Sequence, residues 1–230
     1  MKRFWKEAQA VRTGAGWGVE LDQRPLRTPG RAALVVPTER LARAIAEEWA
    51  QAEDTVDPRA MPLTGLANAA IDRIGADRGK FAADLAQYAQ ADLACYRAEG
   101  PATLAAQQAE SWDALLVWAR RRYDVDFAIT TGIIHIAQPP ATVDRLAHEV
   151  AALDAFRLAG LSPLVTIGGS LIAALAVLDE ALTPAQAWHA VSVDERWQLE
   201  KWGSDSEAGV AMASRERDFL AAARFLELLG

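Results

Sequence analysis

The stretch Ala33–Ala52, A-L-V-V-P-T-E-R-L-A-R-A-I-A-E-E-W-A-Q-A, contains a change of hydrophobic period that decides the fold. Before Pro37, the run Ala33–Val36 is short and rich in β-branched residues, which is typical of a strand. After Pro37, Thr38 is a suitable helix cap. The apolar residues that follow fall on one helical stripe, namely Leu41, Ile45, Trp49 and Ala52. The sequence therefore predicts a β-rich segment before residue 37 and a helical segment after it.

The residues before this change are predicted to form a small antiparallel sheet. Four β-rich runs alternate with turn residues, and they are Trp5–Val11, Trp17–Leu21, Arg24–Arg27 and Ala33–Val36. Because so small a sheet is marginally stable alone, we expect later residues to complete it. The predicted fold class is α+β, with a small antiparallel β domain at residues 1–37 and a larger α-helical domain at residues 38–230.

The rest of the chain is predicted to be mainly helical. Helices are expected at residues 39–52, Leu63–Ile74, Asp77–Ala98 and Ala102–Tyr123, and from Pro139 almost to Gly230. Asp126–Ile136 is β-rich, and the sequence leaves open whether it is a hairpin or an extended crossover. Leu161–Leu178 carries no charge, but its proline and glycines and the Asp179-Glu180 pair that follows favour one buried core helix over a membrane span.

The composition is that of an ordinary globular protein, with 51% hydrophobic and 24% charged residues among 230. The net charge of −7 argues against a nucleic-acid partner, because sequence-independent binding to phosphates needs a basic surface. Cys95 is the single cysteine, so no disulfide forms within the chain and a reducing compartment fits. The N-terminal residues have the pattern of neither a signal peptide nor a transit peptide, which predicts a cytosolic protein or a trimmed organellar one.

The sequence lacks the motifs of the common catalytic and cofactor sites. Gly14–Gly18 lacks the third glycine of a dinucleotide fingerprint, and no phosphate loop ends in Gly-Lys-Ser/Thr. His135, His148 and His189 have no partner at metal-ligand spacing. Cys95 is expected to be an inert core residue. We therefore predict no catalytic residue, no metal, no cofactor and no bound nucleotide, and hence a protein that is not an enzyme.

Thr183–Gly203 is the most informative stretch for function. Thr183 begins and Gly203 ends a predicted single helix, on which Glu195 falls among apolar residues. The stripe around Glu195 consists of Trp188, Val191, Leu199 and Trp202, and the opposite side consists of Ala190, Val193 and Trp197. A carboxylate in such surroundings has to be paired, hydrogen-bonded, protonated or completed by a partner. The sequence leaves open whether Glu195 joins an internal Arg or backbone network or acts in recognition or catalysis.

A further set of short motifs runs in order along nearly the whole chain. The early motifs are Arg3-Phe4-Trp5-Lys6, Leu21–Pro29, Val36-Pro37-Thr38 and Glu47-Glu48-Trp49. The middle motifs are Met61–Thr64, Ala67-Asn68, Ile71-Asp72-Arg73, Tyr88 with Asp92, Gln108 with Trp112-Asp113, and Gln138-Pro139. The late motifs are Gly169-Ser170 and Asp194–Gly203. Together they resemble the assembly chaperones of the catalytic head of the F-type ATP synthase.

This resemblance implies a chaperone that binds the unassembled α subunit of the F-type ATPase, shields the surface that later meets the β subunit, and is then displaced. It also implies a small β domain on a helical domain, no nucleotide hydrolysis, and a bacterial cytoplasmic protein, or a mitochondrial-matrix protein in a trimmed organellar form. The partner-binding residues that it suggests are Glu195, Gln198, Glu200 and Trp202 in the late motif and Trp49 in the early one.

Several of these residues have a structural interpretation as well. Trp49 shares its stripe with two aliphatic residues, which favours a place in the core. Glu200 lies away from the apolar stripe, which favours a solvated face. Trp197 is a further candidate, either as packing against a second layer or as an exposed aromatic anchor of an interface. Trp202, close to the predicted helix end, is compatible with both roles.

The leading hypothesis is an ATP-independent assembly chaperone specific for one client, with no nucleic acid and no membrane insertion. The alternative is an enzyme or small-ligand-binding protein that uses Glu195 as an acid of raised pKa in an apolar pocket. A third possibility is a scaffold subunit that stays in its complex. The surroundings of Glu195 discriminate between the first two, because a deep closed pocket favours a ligand and a shallow open groove favours a protein partner.

Overall fold

The structure, a computed structural model, describes residues 2–202 and 206–230, except for the side chains of Trp202 and Ser206. The strands are β1 (Ala8–Thr13), β2 (Gly16–Leu21), β3 (Arg24–Pro25), β4 (Val35–Val36), β5 (Tyr96–Arg97) and β6 (Thr130–Thr131). The helices are α1 (Glu39–Gln51), α2 (Pro62–Ala69), α3 (Arg78–Ala86), α4 (Ala102–Tyr123), α5 (Pro140–Ala152), α6 (Ala155–Gly168), α7 (Leu171–Leu178), α8 (Pro184–Val191), α9 (Val193–Trp202) and α10 (Ser206–Leu229). An N-terminal antiparallel sheet followed by a mostly helical region confirms the predicted α+β class.

The chain forms two compact units, each built from several segments. Unit 1 contains Met1–Arg78, Asp154–Gly160 and Arg224–Gly230, and unit 2 contains Gly79–Leu153 and Leu161–Ala223. Helices α1 and α2 belong to the same unit as the sheet, because α1 packs directly against β1 and β2. The predicted domain boundary near residue 37 marks a change of hydrophobic period, whereas the two units are defined by contacts between residues. That boundary stays a prediction.

The sheet of unit 1 is organised around β2. Strands β1 and β2 form an antiparallel hairpin with Ala8 opposite Leu21, and both β3 and β4 also pair antiparallel with β2. Gly16 is required where β4 crosses, because its φ is +151° and a Cβ there would lie 2.6 Å from the Val36 carbonyl oxygen. The predicted antiparallel sheet is confirmed, and α1 packs against its strands β1 and β2.

Helix α1 begins as the sequence predicts, and two of its polar side chains cap helices of unit 1. The Thr38 hydroxyl accepts a hydrogen bond from the Leu41 amide at 3.2 Å and caps the helix. The Glu48 carboxylate accepts bonds from the Leu63 and Thr64 amides at 2.7 and 2.8 Å, so it caps α2. Burial raises the pKa of Glu48, although these donors act in the opposite direction.

Helix α7 forms the centre of unit 2, and all of its residues from Leu171 to Val177 are buried. Helices α4 and α8 pack against it. The prediction of one core helix over Leu161–Leu178 is wrong, because Gly169 takes a φ of +68° and Ser170 then caps α7 by accepting a bond from the Ala173 amide. In the part of the chain that the structure describes, no helix has the length and apolar character needed to cross a bilayer.

The region between α3 and α4 also differs from the prediction. A single helix over Asp77–Ala98 is wrong, since α3 ends at Ala86 and two short 3₁₀ turns lead into β5. The physical reason is Asp92, where the backbone is extended rather than helical. Its carboxylate accepts bonds from Ser170 Oγ and the Ile172 amide as well as from the Ala94 amide. Strand β6 pairs in parallel with β5, so Asp126–Ile136 is an extended segment rather than a hairpin.

Candidate functional site

The helix predicted over Thr183–Gly203 is interrupted in the middle. It begins as expected, with a reciprocal capping box between Thr183 and Gln186. At Ser192 the backbone leaves helical geometry, with φ −104° and ψ 15°, and the Ser192 hydroxyl donates to the Trp188 carbonyl at 2.6 Å. Helices α8 and α9 are therefore two elements, and an apolar stripe calculated for one continuous helix does not pass through both.

This break changes which residues of α9 are buried. Val193 and Trp197 are buried, Trp197 being 8% exposed, although they were assigned to the side opposite the apolar stripe. The side chain of Glu195 is 39% exposed, so the prediction that it lies inside an apolar stripe is wrong. Gln198 and Glu200 are exposed, and the side chain of Trp202 lies outside the described residues.

Glu195 is held by an arginine from α10. Its Oε1 accepts a hydrogen bond from Arg215 Nη1 at 2.9 Å, and Arg215 Nη2 donates to the Ile167 carbonyl at 2.9 Å. Both partners contact water, since the side chains of Arg215 and Glu195 are each more than a third exposed. The internal Arg network is thus present, but the carboxylate is not enclosed, and an exposed ion pair of this kind contributes little to stability.

Asp194 ties the start of α9 to the rest of unit 2. Its Oδ1 accepts a bond from Gln108 Nε2 at 2.7 Å, and Gln108 Oε1 in turn accepts a bond from the Ala98 amide at 2.7 Å. Nearby, Trp112 Nε1 donates to the Ala190 carbonyl at 2.7 Å. The first bond joins α9 to α4, and the third joins α4 to α8, which precedes α9, so the exposed side chains of α9 have a defined position.

A groove of about 450 Å³ lies beside this network and is lined in part by α9. Its apolar lining includes Leu93, Leu104, Trp112 and Ile133. Its polar lining includes Arg97, Glu99, Asp194 and Gln198. Of the candidate partner-binding residues whose side chains the structure describes, Gln198 lines this groove, whereas Glu195, Trp197, Glu200 and Trp49 do not.

Sequence reasoning missed the exposed isoleucines beside the groove. Ile133 is 99% exposed and Ile134 is 77% exposed, and both follow directly on β6. Two adjacent large aliphatic side chains form a small apolar patch, and exposed apolar patches often mark binding surfaces. The signal in the sequence was Gly132, because a glycine after a strand run indicates a turn and hence an exposed position for the residues that follow.

A second, more apolar groove of about 590 Å³ is formed by α4 and α8. Its lining includes Leu115, Trp118, Leu182 and His189. Burial, with a smaller contribution from Arg196, lowers the pKa of His189 and favours its neutral form. Glu195 does not line this groove or the groove beside α9, so neither groove encloses Glu195 as the ligand-binding alternative requires.

The enclosed carboxylate of unit 2 is Asp92 rather than Glu195. It is fully buried and accepts bonds from Ser170 Oγ at 2.8 Å and from the Ile172 and Ala94 amides at 2.9 and 3.0 Å. Burial raises the pKa of Asp92 to about 6. The neighbouring Cys95 is also buried, and burial raises the pKa of its thiol to about 12, as befits an unreactive core cysteine.

Trp49 lies in unit 1 and is 7% exposed. Its ring packs edge-on against Trp5 with 5.1 Å between ring centroids, and its carbonyl accepts a bond from Trp5 Nε1 at 3.1 Å. This is the core position that its helical stripe favoured. Among the described residues, no group of three or more His, Cys, Asp or Glu side chains could hold a metal ion.

Comparison with known proteins gives consistent matches. Residues 2–120 match the family described as ATP12 chaperone protein. The crystal structure of Atp12 from Paracoccus denitrificans is 43% identical with a TM-score of 0.94, over 100% of this chain and 98% of that chain. Protein Atu1473 from Agrobacterium tumefaciens is 35% identical with a TM-score of 0.95, over 100% and 86%. The mitochondrial protein atp12 of Schizosaccharomyces pombe is 26% identical over 219 residues, which cover 90% of this chain and 75% of the relative.

Proposed function

This chain belongs to the ATP12 chaperone family, and from that membership we propose that it is an assembly chaperone of the F-type ATPase that binds the unassembled α subunit. The observation that carries the proposal is the family match over residues 2–120, together with a similarity of fold that extends over the whole chain. We further propose that it holds this client without nucleotide, since its sequence has no phosphate loop. Its compartment in this proposal is the bacterial cytoplasm, or the mitochondrial matrix for an organellar form.

We propose that the client contacts α9 through Glu195, Gln198, Glu200 and Trp202. The exposure of Gln198 and Glu200 and the partial exposure of Glu195 support this assignment. A partner that excludes water would strengthen the interaction of Glu195 with a cationic side chain, because screening falls as the pair is buried. In the same proposal Trp197 acts by anchoring α9 from beneath, and Trp49 acts by holding the core of unit 1.

The small-ligand alternative needs Glu195 to be enclosed in an apolar pocket. In the structure Glu195 is bonded to Arg215, is 39% exposed, and does not line the groove of α4 and α8 or the groove beside α9. The surface that does combine apolar and polar groups is open to solvent, which favours a protein partner. A protein that is not an enzyme therefore remains the better proposal.

Co-expression with the ATPase α subunit tests the proposal. We expect capture of a tag on either protein to recover both, in the absence of the β subunit and in the presence of a nucleotide-depleting enzyme. The matched control uses a tagged β subunit alone, which should not capture this chain. Later addition of purified β subunit should release the chain from the captured α subunit. Failure to recover any complex with α would contradict the proposed function.

A further inference from the structure

The segment Gly132–His135, called here the isoleucine tip, presents its two exposed isoleucines from a fixed position. On one side β6 pairs with β5, and the Gly132 amide donates to the Arg97 carbonyl at 2.8 Å. On the other side the Tyr96 hydroxyl lies 3.2 Å from His135 Nδ1, within hydrogen-bond distance. Because both ends are tied to β5, little conformational entropy is lost when a partner covers the tip.

Gly132 is the residue that makes this shape possible. Its φ is +83°, a conformation that L side chains rarely adopt, and a Cβ at this position would lie 2.5 Å from Glu99 Oε1. The chain can therefore turn tightly beside Glu99 and extend Ile133 and Ile134 into solvent. Both side chains therefore contact water in the free protein, and covering them with a partner would be favourable.

The size of the occupant follows from the two isoleucines. Ile133 lines the groove of about 450 Å³, whereas Ile134 does not line it and is still 77% exposed. A small molecule inside the groove would cover the first and leave the second in water. An occupant that covers both has to extend beyond the groove, as a segment of another protein does.

The charges around the groove indicate the chemistry of that segment. Arg97 is the cation of the lining, and it is already neutralised by Asp113 at 2.7 Å and stacked over the Trp112 ring at 5.1 Å from the centroid. Glu99 is exposed, and Asp194 is held by an uncharged amide donor, Gln108. The charge that the groove presents to a partner is therefore negative, and it is complementary to a lysine or arginine.

We infer that the isoleucine tip and the adjacent groove form the docking surface for an apolar segment of the client that carries a lysine or arginine. This inference rests on the proposed function, in which the client is the unassembled α subunit. The two isoleucines supply the apolar anchor, while Glu99 and Asp194 receive the cation. Gln198 of α9 lines the same groove, so the surface is continuous with the proposed contacts of α9.

The first test removes the apolar anchor. The double variant Ile133→Ser/Ile134→Ser is compared with wild type for binding to purified unassembled α subunit by biolayer interferometry. We expect at least about tenfold weaker binding, as for truncation of interface anchors. The melting temperature should not change, because both side chains are exposed in the free protein. Val210→Ser, which removes another aliphatic side chain that is 71% exposed in unit 2, is the matched control and should bind within about twofold of wild type.

The second test reverses the charge of the groove. Glu99→Lys should weaken binding about three- to tenfold at low ionic strength, and the difference should shrink in high salt because exposed charges are screened. Glu47→Lys makes the same change at an exposed position of α1 and serves as the control. Equal losses in both variants would mean that only net charge matters, which would overturn the assignment of the cation to this groove.

The outcomes separate this inference from the proposed function. If wild type binds the α subunit and the double isoleucine variant binds equally well, the docking surface is wrong and the function stands. If wild type does not bind the α subunit at all, the function itself fails. If light scattering shows a wild-type dimer that the double variant abolishes without loss of α binding, the tip serves self-association and the inference is overturned.

Discussion

Asp92 and helix α9 lie in the same compact unit, yet their carboxylates have different surroundings. Asp92 is fully buried, and the donors that reach it are two backbone amides and the Ser170 hydroxyl. Glu195 of α9 accepts a hydrogen bond from the long side chain of Arg215, and its own side chain remains 39% exposed. The first carboxylate joins the segment before β5 to the start of α7, whereas the second leaves part of its surface available.

The difference separates architecture from recognition. A buried carboxylate that is fully bonded within the chain has no capacity left for a partner, and its loss leaves several buried donors without an acceptor. An exposed carboxylate contributes little to folding, so Glu195 can be replaced with little loss of stability, and in our proposal it serves binding. Stability should therefore respond to Asp92, and client capture should respond to α9 and the isoleucine tip.

Replacement of Asp92 should have the largest effect on stability. Asp92→Ala removes the acceptor of three buried donors and is expected to lower the free energy of unfolding by about 3 kcal/mol or more. Urea denaturation followed by circular dichroism measures this change. A loss within about 0.5 kcal/mol, the usual range for surface substitutions, would abolish the distinction drawn between the two regions.

The pH dependence of stability sharpens the same comparison. Burial raises the pKa of Asp92 to about 6 from an ordinary value of 3.8, so between these values the folded state binds more protons than the unfolded state. The stability contributed by Asp92 is therefore present at low pH and falls as the pH rises from about 4 to about 6, by up to about 3 kcal/mol.

The non-titrating variant Asp92→Asn isolates this contribution from that of other carboxylates. The stability difference between wild type and Asp92→Asn should shift in favour of wild type as the pH is lowered through about 6. Urea titrations of both proteins at a series of pH values measure it. A difference that is constant with pH would show that Asp92 does not titrate in this range, and one that grows towards neutral pH would show that folding lowers its pKa instead of raising it.

Glu48 of unit 1 is an intermediate case and should give an intermediate effect. Its carboxylate caps α2 through the Leu63 and Thr64 amides but is only partly buried. Glu48→Ala should therefore lower the free energy of unfolding by about 1–2 kcal/mol, the usual cost of losing a helix cap. The exposed neighbour Glu47→Ala is the control, with an expected change within about 0.5 kcal/mol.

Much of the architecture follows from local sequence signals. The strands on either side of the Gly14–Gly16 turn, the Thr38 cap and the capping box at Thr183 all depend on residues close together in sequence, and the structure has each of them. Helix α4 also has the predicted bounds, Ala102–Tyr123. Such elements are predictable because their hydrogen bonds close within a few residues.

The predictions fail where something other than the local hydrophobic pattern ends a helix or builds a surface. The helix expected over Asp77–Ala98 ends early because Asp92 bonds to Ser170 and Ile172, which no local pattern reveals. The apolar stripe predicted around Glu195 assumes one continuous helix. The break at Ser192 changes the orientation of the residues that follow it, so the stripe does not continue into α9. The same limitation concealed the groove, whose walls come from segments far apart in sequence.

Charge reversal at Glu195 should have the smallest effect on stability. Glu195→Lys replaces an exposed ion pair with a lysine beside Arg215, and both side chains can turn towards water, so the free energy of unfolding should fall by less than about 1 kcal/mol. If α9 contacts the client as proposed, capture of the α subunit should nevertheless be lost. Glu195→Gln, which keeps the shape and removes the charge, should retain part of the capture, and Asp218→Lys on α10 is the charge control. If circular dichroism shows that the Glu195→Lys protein is unfolded, the pair with Arg215 is structural. Both carboxylates would then stabilise the fold, and Asp92 and Glu195 would differ only in the size of their contribution.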